Sequence, residues 1–326
     1  WRPWSPDMPD MNAPLKLGLN NWNQYTDWPS FLAAQQRADA LGFDSIWTWD
    51  HLYPIVGSHE GPIFECYTAM AAVATMTERA SIGLLVGANT FRNPALVAKM
   101  VTTLDHISGG RAVLGIGGAW FETEHEAFGL EFGKSPGERL GWLAEALPIM
   151  RAMLDGKRPT TSGRYVTEEA LNLPPPIQEH VPILIGGAGP RVTLRLVAEY
   201  ADMNNIGRVT AEELAAKEDA LIGHCEAAGR DEKTIERTAG MGTVFIRDSR
   251  EEAFTLMADV FADNGDAKTW TGMPVGHPSH VVEHCKPYLD AGYRHLIFGC
   301  PAPYDEETVE RLATEVRPQL EAYLAS

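Results

Sequence analysis

The sequence predicts an α/β fold, a TIM (β/α)8 barrel with insertion segments. The chain has 326 residues, of which 44% are hydrophobic and 22% charged, a composition typical of globular proteins. Eight short apolar segments alternate with helical patterns from near residue 15 to the C-terminus. Such alternation predicts a parallel sheet. The count of eight favours the barrel over an open doubly wound sheet, and a barrel of this length is one domain.

Each predicted strand is followed by a helix whose ends carry the expected signals. The helix predicted over 28–41 ends at Gly42, and the one over 93–107 has Pro94 in its first turn, with Asn93 as the expected cap. The predicted strands are 15–19, 45–49, 80–86, 112–117, one beginning at 182, 202–206, 238–246 and 295–299. The other predicted helices are 65–76, 136–154, 191–200, 211–228, 249–261, 278–291 and 305–326.

Three stretches depart from this alternation. Residues 160–176 end in Leu173-Pro174-Pro175-Pro176, which fits neither a central strand nor a helix, so we expect the segment to cover the barrel mouth or an edge. Residues 263–275 are polar and contain glycine, which predicts a loop. Residues 1–13 are rich in Pro and Asp, and we expect a peripheral N-terminal arm before one barrel domain over residues 14–326.

Charge and cysteine usage narrow the class of protein. The net charge of −17 argues against nucleic acid and anionic membranes as partners, because both require clustered Lys and Arg. No apolar run approaches the ~20 residues of a membrane span, and the N-terminus lacks the pattern of a signal peptide. The four cysteines show no C-x-x-C spacing, so neither a zinc site nor a disulfide framework is expected. We therefore expect reduced thiols in a cytoplasmic protein that acts on a small molecule.

The main candidate for chemistry is Asp50-His51, which follows the predicted strand 45–49. Residues at the carboxyl end of a barrel strand line the active-site mouth. A histidine, with an ordinary pKa of ~6.5, gives or takes a proton near neutral pH, and a neighbouring carboxylate holds its tautomer. The alternative is a helix-capping Asp beside a surface His. The position after the second strand favours catalysis, with Asp50 orienting His51.

A glycine-rich turn, Gly186-Gly187-Ala188-Gly189, lies between a predicted strand and a predicted helix. Glycine lets the backbone approach a ligand closely, and free N–H groups at a helix start hold phosphate. Barrels often bind phosphate on their later loops, although such turns also serve for tight packing alone. Arg191 and Arg195 follow on the helix, within reach of an anion or of solvent.

The ends of the third and fourth strands supply further candidates. Gly117 and Gly118 leave room for a flat ring, with Trp120 as its wall, although close helix packing and a core Trp explain the spacing equally well. Asn89 and Thr90 are candidates for hydrogen bonds to a ring edge.

Acidic residues and a histidine also cluster after the fourth strand, at Glu122, Glu124, His125 and Glu126. Their spacing matches no metal motif, so we expect a solvated helix start and no metal.

These stretches carry a family resemblance. The chain resembles the luciferase-like monooxygenase superfamily and, within it, the branch of coenzyme F420-dependent oxidoreductases. The resemblance runs from about Lys16 to about Ile206 and more weakly beyond. The matching stretches are 42–47 with Asp50-His51, 90–100, 103–111, 115–117, 182–189 and 200–202.

The resemblance implies a barrel with an insertion region that binds a deazaflavin or flavin in its mouth. It assigns proton handling to Asp50 and His51. It implies a non-prolyl cis peptide near Leu85-Val86, just before Gly87, as a bulge that backs the ring. It also implies phosphate binding by the turn Gly186, Gly187, Ala188 and Gly189, and a homodimer formed through early-barrel helices.

Two positions depart from the F420-dependent glucose-6-phosphate dehydrogenases of this branch. Their active-site Trp after the histidine falls on Ile55, and their catalytic Glu after the fourth strand falls on Trp120. A less polar substrate than a sugar phosphate fits Trp120, Ile55, Phe64 and Tyr53 better.

Three hypotheses for function follow. The first is an oxidoreductase that transfers hydride between coenzyme F420 and a small, fairly apolar organic substrate, with His51 as acid or base. The second is a monooxygenase of the same superfamily that uses reduced FMN and O2. The third is a barrel that binds a ligand without turnover, which predicts that His51→Ala leaves biological activity intact.

Overall fold

Eight parallel strands form a closed barrel in the computed structural model, which describes residues 13–263 and 272–326. The barrel strands are β1 (Lys16–Asn21), β2 (Ser45–Thr48), β3 (Ser81–Leu84), β4 (Ala112–Gly117), β5 (Ile183–Gly186), β6 (Met203–Ile206), β7 (Glu236–Thr243) and β8 (His295–Cys300). Neighbours in the chain are neighbours in the barrel, and β8 pairs with β1. The predicted TIM barrel is confirmed.

Two strand pairings, β1 with β8 and β3 with β4, complete the closure of the barrel. Strand β1 pairs with β8 from Lys16↔His295 to Asn21↔Cys300. Strand β3 pairs with β4 only over two residues, and the chain then makes a cis peptide at Leu85–Val86. A short extension, Gly87–Ala88, pairs again with the end of β4. The backbone after β3 is therefore displaced at the carboxyl end of the barrel, where the resemblance implied it.

Helices surround the barrel. Their bounds are α1 (Trp28–Ala40), α2 (Cys66–Thr75), α3 (Pro94–Ser108), α4 (Glu122–Phe128), α5 (Pro136–Leu154), α6 (Thr193–Tyr200), α7 (Ala211–Ala228), α8 (Arg250–Asp263), α9 (Pro278–Asp290), α10 (Glu306–Arg311) and α11 (Arg317–Leu324). Asn93 caps α3 as predicted, accepting from the Ala95 N–H at 2.9 Å. Helix α4 lies where only a solvated helix start was expected.

Apolar side chains pack on both sides of the barrel wall. The larger cluster lies between the strands and the helices. A smaller inner cluster fills the barrel with Trp47, Val113, Leu184, Met203 and Ile297. Trp47 requires small neighbours, since a Cβ added at Gly83 would lie 2.8 Å from its ring. The barrel is therefore a packed core with no pore through it.

A chain of polar contacts closes the amino-terminal end of the barrel. The Trp47 indole donates to Ser45 Oγ at 2.7 Å, and Ser45 Oγ also contacts His295 Nε2 at 2.7 Å. Glu236 accepts from His295 Nδ1 and from Lys16 Nζ, both at 2.7 Å. Burial acts to raise the pKa of Glu236, but the bonds from His295 and Lys16 outweigh it and lower that pKa to about 2.

The insertion segment lies over an outer edge of the barrel. It contains a two-stranded hairpin, Thr161–Ser162 with Val166–Thr167. The Arg164 guanidinium stacks 3.6 Å from the Trp142 ring of α5, and Asn172 donates to Thr102 of α3 at 2.8 Å. Of the two expected locations, the edge over α3 and α5 is the one observed.

Two predicted segments lie partly or wholly outside the described residues: the arm over 1–13, of which only Ala13 is described, and most of the loop over 263–275. Within the described ranges, no helix combines the length and apolar character required to cross a membrane.

Candidate active site

A cavity of about 400 Å³ opens at the carboxyl ends of strands β2 to β6. Its lining combines polar and aromatic side chains with glycines. The lining residues are Trp49, Asp50, His51, Ile55, Leu85, Val86, Gly87, Ala88, Gly117, Gly118, Ala119, Trp120, Glu124, Gly186, Gly187, Asn205 and Gly207. Eight of the predicted cofactor-binding residues lie in this wall: Leu85, Val86, Gly87, Gly117, Gly118, Trp120, Gly186 and Gly187.

Val86 forms part of the cavity floor, because it packs on the inner core of the barrel and faces the cavity. It lies between the glycines of two other strands. A Cβ added at Gly117 or at Gly186 would lie 2.8 Å from Val86 Cγ2, closer than real side chains approach. The absence of side chains at Gly117 and Gly186 therefore leaves the space that Val86 occupies. Val86 in turn forms a smooth floor above the barrel core.

His51 is held by a carboxylate from another part of the chain. Its Nδ1 lies 2.8 Å from Glu124 Oε1, and the second oxygen of Glu124 accepts from the Leu52 N–H at 2.7 Å. A carboxylate only accepts hydrogen bonds, so Nδ1 carries the proton and the neutral ring presents an unprotonated Nε2. The Glu124 side chain is 1% exposed and that of His51 13%, so the His51 ring is the more accessible member of the pair, although both residues line the cavity.

Asp50 does not orient His51, and the prediction that it does is wrong. Its carboxylate accepts from Arg92 Nη1 and Nη2 at 2.7 and 3.1 Å, from the Ala88 N–H at 2.8 Å, and from the Cys66 thiol at 2.9 Å. Burial and the Asp50 charge raise the pKa of the Cys66 thiol, which keeps its proton and donates. Asp50 therefore anchors the loop after β3.

The expected solvated helix start is wrong for Glu124 and His125, which are buried, whereas Glu122 and Glu126 of the same helix are exposed as expected. His125 Nδ1 donates to the Phe121 carbonyl at 2.7 Å, and its Nε2 lies 2.7 Å from Thr90 Oγ1. Burial lowers the pKa of His125, so the ring is neutral and accepts from the Thr90 hydroxyl. These contacts fasten α4 against the loop after β3 and so place Glu124 under His51.

Asn89 and Thr90 do not line the cavity. Asn89 is buried, and its side chain donates to the Tyr165 hydroxyl of the insertion at 3.1 Å. Thr90 is engaged with His125. Both side chains turn away because the backbone of Gly87–Ala88 is paired with β4 and fixes the direction of the residues that follow. The geometry does not support the expected contacts to a ring edge.

The glycine turn leads from the cavity to the start of α6. Gly187 has a φ of +111°, and its N–H donates to the Asn205 carbonyl at 2.8 Å. Beyond it, Ala188, Gly189 and Arg191 lie outside the cavity wall, on the approach to the helix. Within the described residues no side chain caps the N-terminus of α6, and the Leu194 N–H of its first turn donates to the Gly189 carbonyl at 3.1 Å.

Trp120 stands at the cavity rim and is 61% exposed. Its ring centroid lies 5.6 Å from that of His51, edge to face, and 5.4 Å from that of Phe121 in a stacked arrangement. The preceding Ala119 has a φ of +61°, which turns the chain outward after β4. Of the two interpretations left open, the wall of a binding site agrees with this position and a core Trp does not.

Glu124 is the site residue that sequence reasoning missed. Its signal in the sequence was its position: it lies in the first turn of a helix that begins within a few residues of the end of β4, at the mouth of the barrel. Spacing alone suggested a solvated cluster, because the partner that buries Glu124 comes from the loop after β2.

A closed parallel barrel with a carboxylate-bound histidine beside a glycine-walled cavity defines an enzyme of the TIM-barrel class that works at the carboxyl ends of its strands. Residues 18–292 match the family model described as luciferase-like monooxygenase, and the chain belongs to that family.

Individual relatives and structures agree with this assignment. The F420-dependent glucose-6-phosphate dehydrogenase of Amycolatopsis mediterranei (strain U-32) is 29% identical, over 88% of this chain and 92% of its own length. An F420-dependent secondary alcohol dehydrogenase, solved with an F420-acetone adduct, has a TM-score of 0.79 at 19% identity and covers 94% and 99% of the two chains. The oxygenating constituent of 3,6-diketocamphane monooxygenase from Pseudomonas putida, in complex with FMN, has a TM-score of 0.74 at 18% identity and covers 94% and 99%.

Proposed function

We propose that this enzyme is an oxidoreductase that transfers hydride between coenzyme F420 and a small organic substrate. The observation that carries the proposal is the His51–Glu124 pair, which faces a glycine-walled cavity over a Val86 floor. The named F420-dependent relatives support the choice of cofactor.

The cavity wall fits a flat ring system. Gly87, Gly117 and Gly186 carry no side chain into the cavity, and Trp120 closes the rim. The start of α6, which has no side-chain cap within the described residues and lies beside Ala188, Gly189 and Arg191, is proposed to receive an anionic tail. Bound coenzyme F420 supplies a deazaflavin carbon that accepts or releases hydride.

His51 is proposed to move the substrate proton. Its Nε2 lone pair accepts a proton when a hydroxyl is oxidised, and the protonated ring donates one when a carbonyl is reduced. Glu124 stabilises the imidazolium in both directions, since it is a carboxylate 2.8 Å from Nδ1. Asp50, whose carboxylate bonds to Arg92, Cys66 and the Ala88 N–H, is proposed to hold the floor through the Ala88 N–H.

The test is a fluorescence titration of the purified protein with coenzyme F420 and, in parallel, with FMN. Selective binding of F420, weakened by Gly186→Val, supports the proposal, because the added side chain would overlap Val86. Selective binding of FMN refutes it and favours the monooxygenase hypothesis, which O2 consumption with a flavin reductase would then examine. Turnover of a substrate that is lost in His51→Ala excludes a barrel that only binds.

The enzyme is further proposed to act as a homodimer through α2 and α3. Exposed apolar side chains lie on these helices and their ends, at Met76, Leu96 and Ile107, which are 49%, 52% and 38% exposed. A shallow groove between the helices continues this surface. Analytical ultracentrifugation of the wild type and Leu96→Glu tests the proposal, which fails if the wild type sediments as a monomer at micromolar concentration.

A cytoplasmic location is proposed from the cysteines. Cys66, Cys225, Cys285 and Cys300 are all free and buried, as expected in a reducing compartment. Recovery of the protein in a membrane or secreted fraction of its native cells would contradict this location.

A further inference from the structure

A second compartment of about 390 Å³ lies beside the cavity, above the β7–β8–β1 side of the barrel. The two share Trp49, Ile55, Leu85, Trp120 and Gly207 in their walls, so they open into one another. The other lining residues of the second compartment are Asn20, Trp22, Val56, Arg208, Gly240, Gly242, Thr243, Met273, Ile297 and Gly299.

The walls of this compartment suit a flat, largely apolar molecule. One wall is glycine, from the inward positions Gly240, Gly242 and Gly299 of β7 and β8. The walls also contain Trp22 and Trp49, whose ring centroids are 4.3 Å apart at an interplanar angle of 34°. Aromatic rings beside bare backbone give a slot whose contacts are mainly dispersion and apolar burial.

Two polar side chains at the base of the slot have unpaired atoms. Gly18 faces into the barrel, since a Cβ there would lie 3.1 Å from Ile297, and the period of a strand turns Asn20 and Trp22 the same way. These two residues are 7% and 4% exposed. Within the described chain, Asn20 Oδ1 and Trp22 Nε1 have no hydrogen-bond partner.

The indole N–H lies against the glycine wall of the same slot. A Cβ built on Gly299 would be 3.3 Å from Trp22 Nε1. Buried donors and acceptors are normally paired, and leaving them unpaired destabilises a fold, so such atoms in a binding slot indicate a ligand that pairs them. One is a donor and the other an acceptor, and a hydroxyl group carries the complementary acceptor and donor.

We propose that the second compartment is the substrate site and that it selects an uncharged ring compound with an anchoring hydroxyl. The hydroxyl accepts from Trp22 Nε1 and donates to Asn20 Oδ1, while the reacting group lies toward the wall shared with the cavity of His51. This deepens the proposed hydride transfer and rests on it for the reaction. Arg208, the one charged residue among the described lining residues, donates to the Gly272 carbonyl at 3.0 Å.

The test measures binding by isothermal titration calorimetry, on protein saturated with coenzyme F420 and on protein without it. The probes are 2-tetralol, its methyl ether and glucose 6-phosphate. The ether accepts a hydrogen bond but donates none. We expect 2-tetralol to bind about tenfold more tightly than the ether, as one net hydrogen bond allows, and glucose 6-phosphate to bind most weakly.

Variants separate the two contacts. Trp22→Phe should weaken binding of the alcohol and the ether alike, by about five- to tenfold, because both lose the indole donor. Asn20→Ala, or Asn20→Leu if the smaller residue disturbs the fold, should weaken binding of the alcohol alone. Trp28→Phe on the outer helix α1 is the matched control and should change neither affinity.

Equal affinity of the wild type for the alcohol and its ether would overturn the substrate proposal. So would discrimination between the alcohol and the ether that persists in Asn20→Ala, unchanged affinity of both probes for Trp22→Phe, or preferred binding of glucose 6-phosphate. Failure of the cofactor proposal is a separate result, because it appears as absent F420 binding in the fluorescence titration. The comparison of 2-tetralol with its ether on protein without F420 still tests the second compartment.

Discussion

Glu124→Gln tests whether a carboxylate distant in sequence sets the state of His51. In the wild type both oxygens of Glu124 accept, one from His51 Nδ1 at 2.8 Å and one from the Leu52 N–H at 2.7 Å. Glutamine offers one oxygen and one NH2 group of nearly the same shape. Either the His51 Nδ1–H or the Leu52 N–H must therefore face the glutamine NH2 group, which is also a donor. The imidazole avoids this clash only if its proton moves to Nε2, and Nε2 is then no longer free to accept a proton.

The size of the effect follows from burial. The Glu124 side chain is 1% exposed, so its bond to His51 is charge-assisted and shielded from water. Such bonds contribute roughly 1.5–3 kcal/mol, which corresponds to roughly 10- to 150-fold in rate when the interaction is made in the transition state. We expect Glu124→Gln to lower kcat by that factor with KM little changed, and to lower the free energy of unfolding by about 1–3 kcal/mol.

The assay is single-turnover reduction or oxidation of bound coenzyme F420, read by its absorbance, across the pH range in which the wild type is folded. Nitrogen NMR of the His51 ring supplies a second readout, since it distinguishes a proton on Nδ1 from one on Nε2. Glu126→Gln is the matched control, because Glu126 lies on the same helix and is exposed. Wild-type kcat together with an unchanged His51 tautomer in Glu124→Gln would refute the reasoning.

Three further outcomes are expected from buried contacts elsewhere. Arg92→Leu leaves the Asp50 carboxylate, 1% exposed, without its cation and should cost about 3–5 kcal/mol of unfolding free energy in urea titrations; Arg92→Lys should recover part of it. Gly186→Ala adds a Cβ 2.8 Å from Val86 and should cost about 1–3 kcal/mol and weaken F420 binding; wild-type values for both would contradict the proposed floor. Glu236 has its pKa lowered to about 2 from an unfolded value of 4.5, so its contribution, at most about 3 kcal/mol, is present above pH 4.5 and is lost as the pH falls toward 2; Glu236→Gln should flatten the urea stability profile over that window.

Much of the fold was predictable because its signals are local. A run of apolar residues predicts a buried strand wherever it falls, and eight such runs separated by helices permit few topologies. Helix ends were predictable for the same reason, as at Asn93, whose side chain bonds only to the backbone two residues ahead. Ends of strands were less certain, since pairing with neighbours decides them, and β1 extends to Asn21 because β8 pairs with it that far.

The location of the site was also predictable. Residues that follow a parallel strand must lie at the carboxyl end of the barrel, so Asp50-His51 and the glycines after β4 and β5 converge by topology alone. The contacts of Asp50 and His51 were not predictable, because adjacent residues of an extended chain point to opposite sides. Asp50 therefore meets Arg92, and the carboxylate that holds His51 lies 73 residues away at Glu124.

The barrel, its rim and the residue types at the rim follow from periodicity and chain order, so the amino-acid sequence is enough to predict them. Which rim residues meet depends on the three-dimensional packing of the strands and helices. This packing turned Asn89 and Thr90 away from the cavity, and it brought the unpaired atoms of Asn20 and Trp22 to the base of a slot walled by β7 and β8. Contacts between distant segments depend on the packing of whole elements, and no local pattern contains that information.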